Sequence, residues 1–450
     1  MAYRSINPFN GEEIGVYPNL TFSDLHKKLE VSQSSYLNWS RLSLEQRLNR
    51  VESLAIHLEN QRQHLAISAT REMGKRIIES LAEIDKCAEL CKYYVRESAG
   101  FLKPKKVKGH GFQAEVHKMP QGIILGIMPW NFPFWQVFRF AIPNLILGNV
   151  VVVKHASNVG GTAKWIEQLF LSVGFPKGVY QDLKIGVNDV EIVIKHKSIR
   201  GITLTGSEQA GKNVAILAGK YLKKSVLELG GNNAFVVFAD APIKKTIQLA
   251  IEGRLVNSGQ SCIAAKRFII DERIHDDFLS GLLTKLKSIK PGDPILNTTQ
   301  LGPLARKDLV ITLTSQIKNT LKQGANLELE GQVNGNLISP FVITRVKPSH
   351  TAFKEELFGP VFSFSTFKEE KMAIQLANDS DFGLGVSLHS SDKDRLKALA
   401  PKFDEGSVYI NRNVRSQINL PFGGVKSSGY GRELAKEGML EFANIKPMVY

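Results

Sequence analysis

The runs GIILGIMP (122–129), NVVVVKHA (149–156), DLKIG (182–186), GITLTGS (201–207) and NAFVVFAD (233–240) decide the fold. Each is a short apolar stretch closed by Gly or a polar residue, with helical stretches between. Strands covered on both faces need such unbroken Val/Ile/Leu runs, so the rhythm predicts βαβ units in a parallel sheet. Upstream, 23–40, 44–74 and 75–98 place apolar residues at helical spacing and read as successive amphipathic helices. Downstream, the strand–helix alternation returns between 240 and 425. The chain is an α/β protein of two or three domains, since 450 residues exceed one small core.

The net charge of +15 comes from 58 basic and 43 acidic residues scattered along the whole chain. The densest cluster, LKPKKVKGH at 102–110, has no interleaved aromatics and reads as a solvated ribbon, so no nucleic-acid partner is expected. A positive field favours anionic small molecules instead. Three cysteines form no disulfide framework, and a reducing cytoplasm is the expected setting. Cys87 and Cys91 lie four apart on one helical face and read as small buried residues, so no metal is expected. The longest apolar tract starts at Ile123 and is broken by Pro129, Pro133, Pro143, Asn131 and Arg139. A membrane span needs about 18 uninterrupted apolar residues, so strand, loop and buried helix are expected here. The N-terminus, MAYRSINPFNGEE, carries no signal-peptide pattern.

No GxGxxG follows any of the strands. TGSEQAGKNVA (205–215) is a strand end, a turn and a helix start; Ser207 there reads equally as a plain N-cap or as a pyrophosphate contact at a helix N-terminus. NSGQSCIAAKR (257–267) sets Cys262 in a polar turn, where a thiol is accessible, rather than in an apolar run. An unperturbed thiol has a pKa of about 8.5, so a nucleophilic one needs nearby amides or the field of Lys266 and Arg267. LELGGNN (227–233) puts Glu228 in apolar surroundings, which raise a carboxyl pKa and suit it to general-base work. PWNFPFW (129–135) fixes Asn131 between two prolines and three aromatic rings, a rigid amide of the kind an oxyanion hole uses. The structural alternatives are an inert thiol, a salt-bridged glutamate and a turn asparagine.

Taken together, PWNFP, the Lys154 segment, FPKGV (175–179), TGS, LELGG, GQSC, EELFGPV (355–361) and LPFGGVKSSGYGRE (420–433) resemble the aldehyde dehydrogenase superfamily in order and spacing over nearly the whole chain. The resemblance implies a Rossmann-like cofactor domain (1–102 and 120–230), a second α/β catalytic domain (231–427) and oligomerisation arms (103–119 and 428–450) of a homodimer or homotetramer. It implies Cys262 as nucleophile, Asn131 as oxyanion donor and Glu228 as the base for hydrolysis. Trp130, Lys154, Ser157, Gly206, Ser207, Glu356 and Phe358 are implied around the dinucleotide. His155, Ser157 and Asn232–Asn233–Ala234 depart from the commonest family pattern. Many members that prefer NAD carry Glu where Ser157 stands. Loss of that carboxylate removes repulsion of a 2′-phosphate, so NADP is the expected preference, with NAD possible.

Arg139 lies eight residues after Asn131, about two helical turns. An Arg in so apolar a helix needs an anion, either a substrate carboxylate or an internal Asp or Glu. The offset resembles the succinate-semialdehyde branch of the family, which implies the substrate carboxylate and makes Ser416 a second contact. The expected reaction is oxidation of succinate semialdehyde, or another short aldehyde, to its acid. A thioester passed to coenzyme A is the alternative enzyme, which Glu228 speaks against. A basic binding protein without catalysis is the alternative outside enzymes.

Overall fold

The computed structural model describes residues 2–450. A hairpin of β1 (Tyr3–Ile6) and β2 (Glu13–Tyr17) precedes four helices, α1 (Phe22–Trp39), α2 (Leu44–Asn60), α3 (Arg62–Met73) and α4 (Ile77–Leu102). Thr21 caps α1, and Ser43 with Gln46 forms a capping box on α2. The periodic stretch 44–74 is two helices, not one. It turns at Gln61 (φ −96°, ψ 7°), which lets both pieces pack on α4. Neither Gly nor Pro marks that turn, so local sequence does not announce it.

After a ribbon of β3 (Lys105–Gly109) and β4 (Phe112–Met119), the predicted alternation unfolds. Its elements are β5 (Ile123–Ile127), α5 (Trp135–Leu147), β6 (Val150–Lys154), α6 (Gly160–Ser172), β7 (Tyr180–Asp182), α7 (Val190–Lys195), β8 (Ile199–Thr205), α8 (Glu208–Lys220) and β9 (Lys224–Glu228). The strands pair in parallel in the order β9-β8-β5-β6-β7. β7 ends where the DLKIG run begins, because the expected strand was placed too late. The strand order reverses about β5, so the carboxyl ends of β5, β6 and β8 surround a switch-point crevice, where open α/β sheets bind ligands. Every residue of α5 is buried, and among the described residues no helix is long and apolar enough to cross a membrane.

The chain leaves this sheet at Glu228 and enters a second one at β10 (Ala234–Val237), followed by α9 (Ile243–Leu255) and β11 (Arg267–Asp271). The second sheet runs from Asn326–Leu329 through Phe341–Thr344, Val361–Phe367, β11, β10 and Val386–His389 to Val408–Ile410. Only its Asn326–Leu329 edge is antiparallel. The stretch 428–450, expected to form one arm, divides. Gly429–Tyr430 adds an antiparallel edge to β9, the helix Ala435–Leu440 packs on α5, and Asn444–Val449 pairs with β4. The division follows from burial: Leu434 and Met439 are apolar and join the core of the first sheet, whereas 444–449 is mostly exposed.

Candidate active site

Cys262 follows a tight turn after α9 in which Asn257 (φ 50°), Ser258 (φ 56°) and Gly259 (φ 79°) are all left-handed. Such backbone costs energy for residues other than Gly, and side-chain bonds hold it here. Asn257 Nδ2 donates to the carbonyl of Asn131 at 2.9 Å, Ser258 Oγ to that of Gly302 at 2.8 Å, and Ala305 N–H to Gln260 Oε1 at 2.8 Å. From the other side, Asn233 Nδ2 and Lys266 Nζ donate to the Cys262 carbonyl at 2.8 and 2.9 Å. Asn233, one of the residues that depart from the commonest family pattern, thus clamps the nucleophile's own loop, while Asn232 Nδ2 donates to the Phe353 carbonyl. The thiol is half-buried in a cavity of about 920 Å³. Removal from water pushes it up to about 11, against the lowering fields of Lys266 and Arg139. Arg267, expected to help, is turned away: it donates to the carbonyls of Asn232, Leu376 and Ala377.

Asn131 is buried, and its Nδ2 donates to the carbonyl of Gln260 at 3.1 Å. Its loop is held by a buried ion pair between Lys75 and Glu83, which sequence reasoning missed. Glu83 Oε1 accepts from the Phe134 and Trp135 N–H groups at 2.9 and 2.8 Å, serving as a borrowed cap for α5. Lys75 Nζ donates to the Asn131 carbonyl at 3.4 Å.

Glu228 ends β9, only 2 % exposed, and its Oε1 has no hydrogen-bond partner among the described residues. Burial pushes its carboxyl well up; Arg139 opposes that shift and Glu433 adds to it. A carboxyl with a raised pKa is a stronger base once ionised, and Glu228 also acts electrostatically on Cys262. Arg139 pairs with Glu433 and donates to Thr205 Oγ1 at 3.1 Å. The guanidinium on the apolar helix is thus paired with an internal acid and at the same time lines the cavity that holds Cys262. Its partner lies in the GRE motif, which the sequence reading assigned to an outer arm. Ser416 lines the same cavity, and its Oγ accepts from Lys86 Nζ at 2.8 Å.

The residues expected around a dinucleotide lie at the switch-point crevice and its border with the second sheet. Ser207 caps α8, accepting from the Ala210 N–H at 3.3 Å, beside Gly206. Lys154 ends β6 with no carboxylate within 4.0 Å among the described residues; its ammonium donates to the His155 carbonyl at 3.1 Å, and burial pushes it down. A desolvated cation without an acid suits a phosphate-bearing ligand. Ser157 is exposed just beyond it. His155 is buried against the Tyr180 hydroxyl at 3.0 Å, and the Tyr3 hydroxyl donates to its carbonyl at 3.0 Å, so Pro is not needed to hold this loop. Glu356 pairs with Lys266 at 2.9 Å; a Cβ on Gly230 would come within 2.5 Å of its carboxylate, so that glycine permits the approach. Trp130 and Phe358 meet edge to face at 5.9 Å.

Known proteins carry the same plan. The aldehyde dehydrogenase family pattern matches residues 1–448. A succinate-semialdehyde dehydrogenase [NADP(+)] of Deinococcus radiodurans is 40% identical over 447 residues, 99% of this chain and 94% of the relative. A succinate semialdehyde dehydrogenase [NAD(P)+] of Escherichia coli K12 is 40% identical over 98% of this chain and 96% of its own. The crystal structure of a Streptococcus pyogenes succinic semialdehyde dehydrogenase, in complex with NADP+, superposes with a TM-score of 0.97 at 36% identity, covering 99% of each chain. With a half-buried cysteine lining the cavity, an amide tethered to its loop and a buried glutamate acting on its charge, the site agrees with that pattern, and the chain belongs to the aldehyde dehydrogenase family.

Proposed function

We propose that the protein oxidises succinate semialdehyde to succinate, with NADP as preferred hydride acceptor and NAD as a second. The observation that carries this reading is the cavity around Cys262, whose lining includes the cations Lys86, Arg139 and Arg415. Cys262 Sγ adds to the aldehyde carbon, its proton passing to Glu228. Asn131 Nδ2 and the Cys262 N–H donate to the resulting oxyanion. The dinucleotide, when bound, takes up the hydride. Lys154, Ser157, Gly206 and Ser207 hold its phosphates and adenosine ribose, and Trp130, Glu356 and Phe358 hold its nicotinamide end. The carbon then remains on Cys262 as a thioester. Once Glu228 has passed the thiol proton on to solvent, its carboxylate removes a proton from water, the water oxygen adds to the thioester carbon, and the C–S bond breaks to release acid and thiolate. A buried carboxyl beside the thiol favours water over coenzyme A as acceptor.

The protein acts in the cytoplasm as a homodimer or homotetramer. Its free cysteines suit a reducing compartment, and the sheet formed by Asn444–Val449, β4 and β3 leaves Phe112, Val449 and Tyr450 exposed for a second copy. Steady-state kinetics test the substrate. Succinate semialdehyde should exceed butyraldehyde by at least about tenfold in kcat/KM, as one charge-assisted contact provides. Equal efficiency would exclude the anionic class.

A further inference from the structure

Arg254, in the last turn of α9, is fully buried, and among the described residues no carboxylate lies within 4.0 Å of its guanidinium. A cation taken out of water without an acid is costly unless its donors are met. Backbone carbonyls meet most of them here. Nη1 donates to the Ala265 carbonyl at 2.7 Å, and Nη2 to those of Gly259 at 2.8 Å and Leu357 at 3.2 Å; Nε has no partner among the described residues. Burial pushes the guanidinium down to about 9, with the charge of Glu356 opposing.

These three carbonyls belong to two segments of chain. Gly259 and Ala265 bracket Cys262, and Leu357 stands between Glu356 and Phe358. The segments also touch directly: Gly259, at φ 79°, lies so close to Gly359 that a Cβ on it would overlap the Gly359 carbonyl. One planar fork thus fixes the backbone on both sides of the nucleophile against the segment that carries Glu356 and Phe358. Lys266 and the Gly231 N–H hold the Glu356 side chain, at 2.9 and 3.3 Å, whereas Arg254 holds the main chain beside it. Arg254 bonds neither Asn131 nor Glu228, the groups assigned to oxyanion binding and hydrolysis.

We propose that Arg254 is a positioning residue that sets the separation between Cys262 and the 356–358 segment, and through it the rate of hydride transfer. The assignment rests on the function proposed above, in which Glu356 and Phe358 hold the nicotinamide end. Misplacing reacting groups by about 1 Å can cost about a hundredfold in rate, so a clamp between the two segments bears on that step most directly.

Two rates are compared in the full-length protein and in its Arg254→Lys and Arg254→Met variants. The first is formation of reduced NADP in a single turnover of succinate semialdehyde at saturating dinucleotide. The second is alkylation of Cys262 by iodoacetamide without dinucleotide, in which a sulfur–carbon bond forms and iodide leaves. Cys87 and Cys91 are fully buried, and the mass of the Cys262 peptide identifies the site. Arg254→Met should lower the first rate about ten- to a hundredfold and change the second by less than about threefold. Arg254→Lys keeps a charge but not the fork, so its first rate should fall between the two; it decides the matter if Arg254→Met does not fold. An unchanged first rate, or an equal loss of both rates, overturns the assignment and leaves the proposed function intact. Failure of the unaltered protein to form reduced dinucleotide overturns the proposed function and this assignment with it.

Discussion

The side-chain amide of Asn131 donates to the carbonyl oxygen of Gln260 at 3.1 Å. The proposed oxyanion donor, carried on the loop after β5, is therefore tied to the loop that carries the nucleophile. The tether leaves Asn131 little freedom before substrate arrives, which is what preorganised stabilisation of developing charge requires. Asn131→Ala should lower kcat by about a hundred- to a thousandfold with a much smaller change in KM. Rapid-mixing and steady-state kinetics check it; a loss confined to KM would remove Asn131 from the chemistry.

Cys262 and Glu228 should separate when each is changed. Cys262→Ala should abolish dehydrogenase turnover, and the fold should survive because the side chain is small and half-buried. Glu228→Gln should give a burst of reduced dinucleotide followed by little turnover, as the thioester forms and then waits for water. Normal steady-state hydrolysis without a burst in that variant would assign the base elsewhere.

Ser157 is exposed just after the Lys154 segment, where an introduced carboxylate would accept a bond from a ribose 2′-hydroxyl and repel a 2′-phosphate. The unaltered protein should favour NADP, and Ser157→Glu should move the kcat/KM ratio towards NAD by about tenfold or more. Kinetics with both dinucleotides decide it. A wild-type preference for NAD, or a ratio indifferent to Ser157→Glu, would show that this position does not read the phosphate.

Stability should fall with acid from near pH 6.5 downwards. Burial pushes both His155 and His389 down to about 3, so in the folded protein they stay neutral while in the unfolded chain they protonate near 6.5. Between those values the unfolded state holds the extra protons, and each histidine removes about 1.4 kcal/mol of stability per unit of falling pH. Above 6.5 their contribution is fully present. Urea midpoints should therefore drop between pH 6 and 4. His389→Phe, at a ring already stacked on Phe235 at 4.0 Å, should make the decline shallower. An unchanged slope would mean that His389 is charged in the fold.

The residues legible in the sequence were those whose type clashes with their local surroundings: a thiol in a polar turn, a carboxylate in an apolar run, an amide between two prolines. The parallel strands were legible because burial on both faces writes an apolar run into each. Lys86 offered no such contrast. Beside Asp85 and Glu89 it reads as one more charged residue on a helix, and only the fold brings Ser416, 330 residues away, against it. Glu433 escaped for the same reason, since its partner Arg139 is distant in sequence, and so the choice between internal acid and substrate for that arginine could not be made locally. The turn at Gln61 and the N-terminal hairpin are set by what they pack against.

The return of the chain to β9 has a consequence for how the protein is made. Leu229 N–H donates to the Ser428 carbonyl at 3.0 Å, Ser428 Oγ to that of Gly230 at 2.6 Å, and Glu433 neutralises Arg139. Until residues 428–433 leave the ribosome, the edge of β9 is bare and a guanidinium destined for the interior has no acid. Removing one partner of a buried pair typically costs about 3–5 kcal/mol. A nascent or prematurely terminated chain thus holds its cysteine and its glutamate long before it holds a working site, and the reactive thiol gains its full setting only once synthesis is nearly complete.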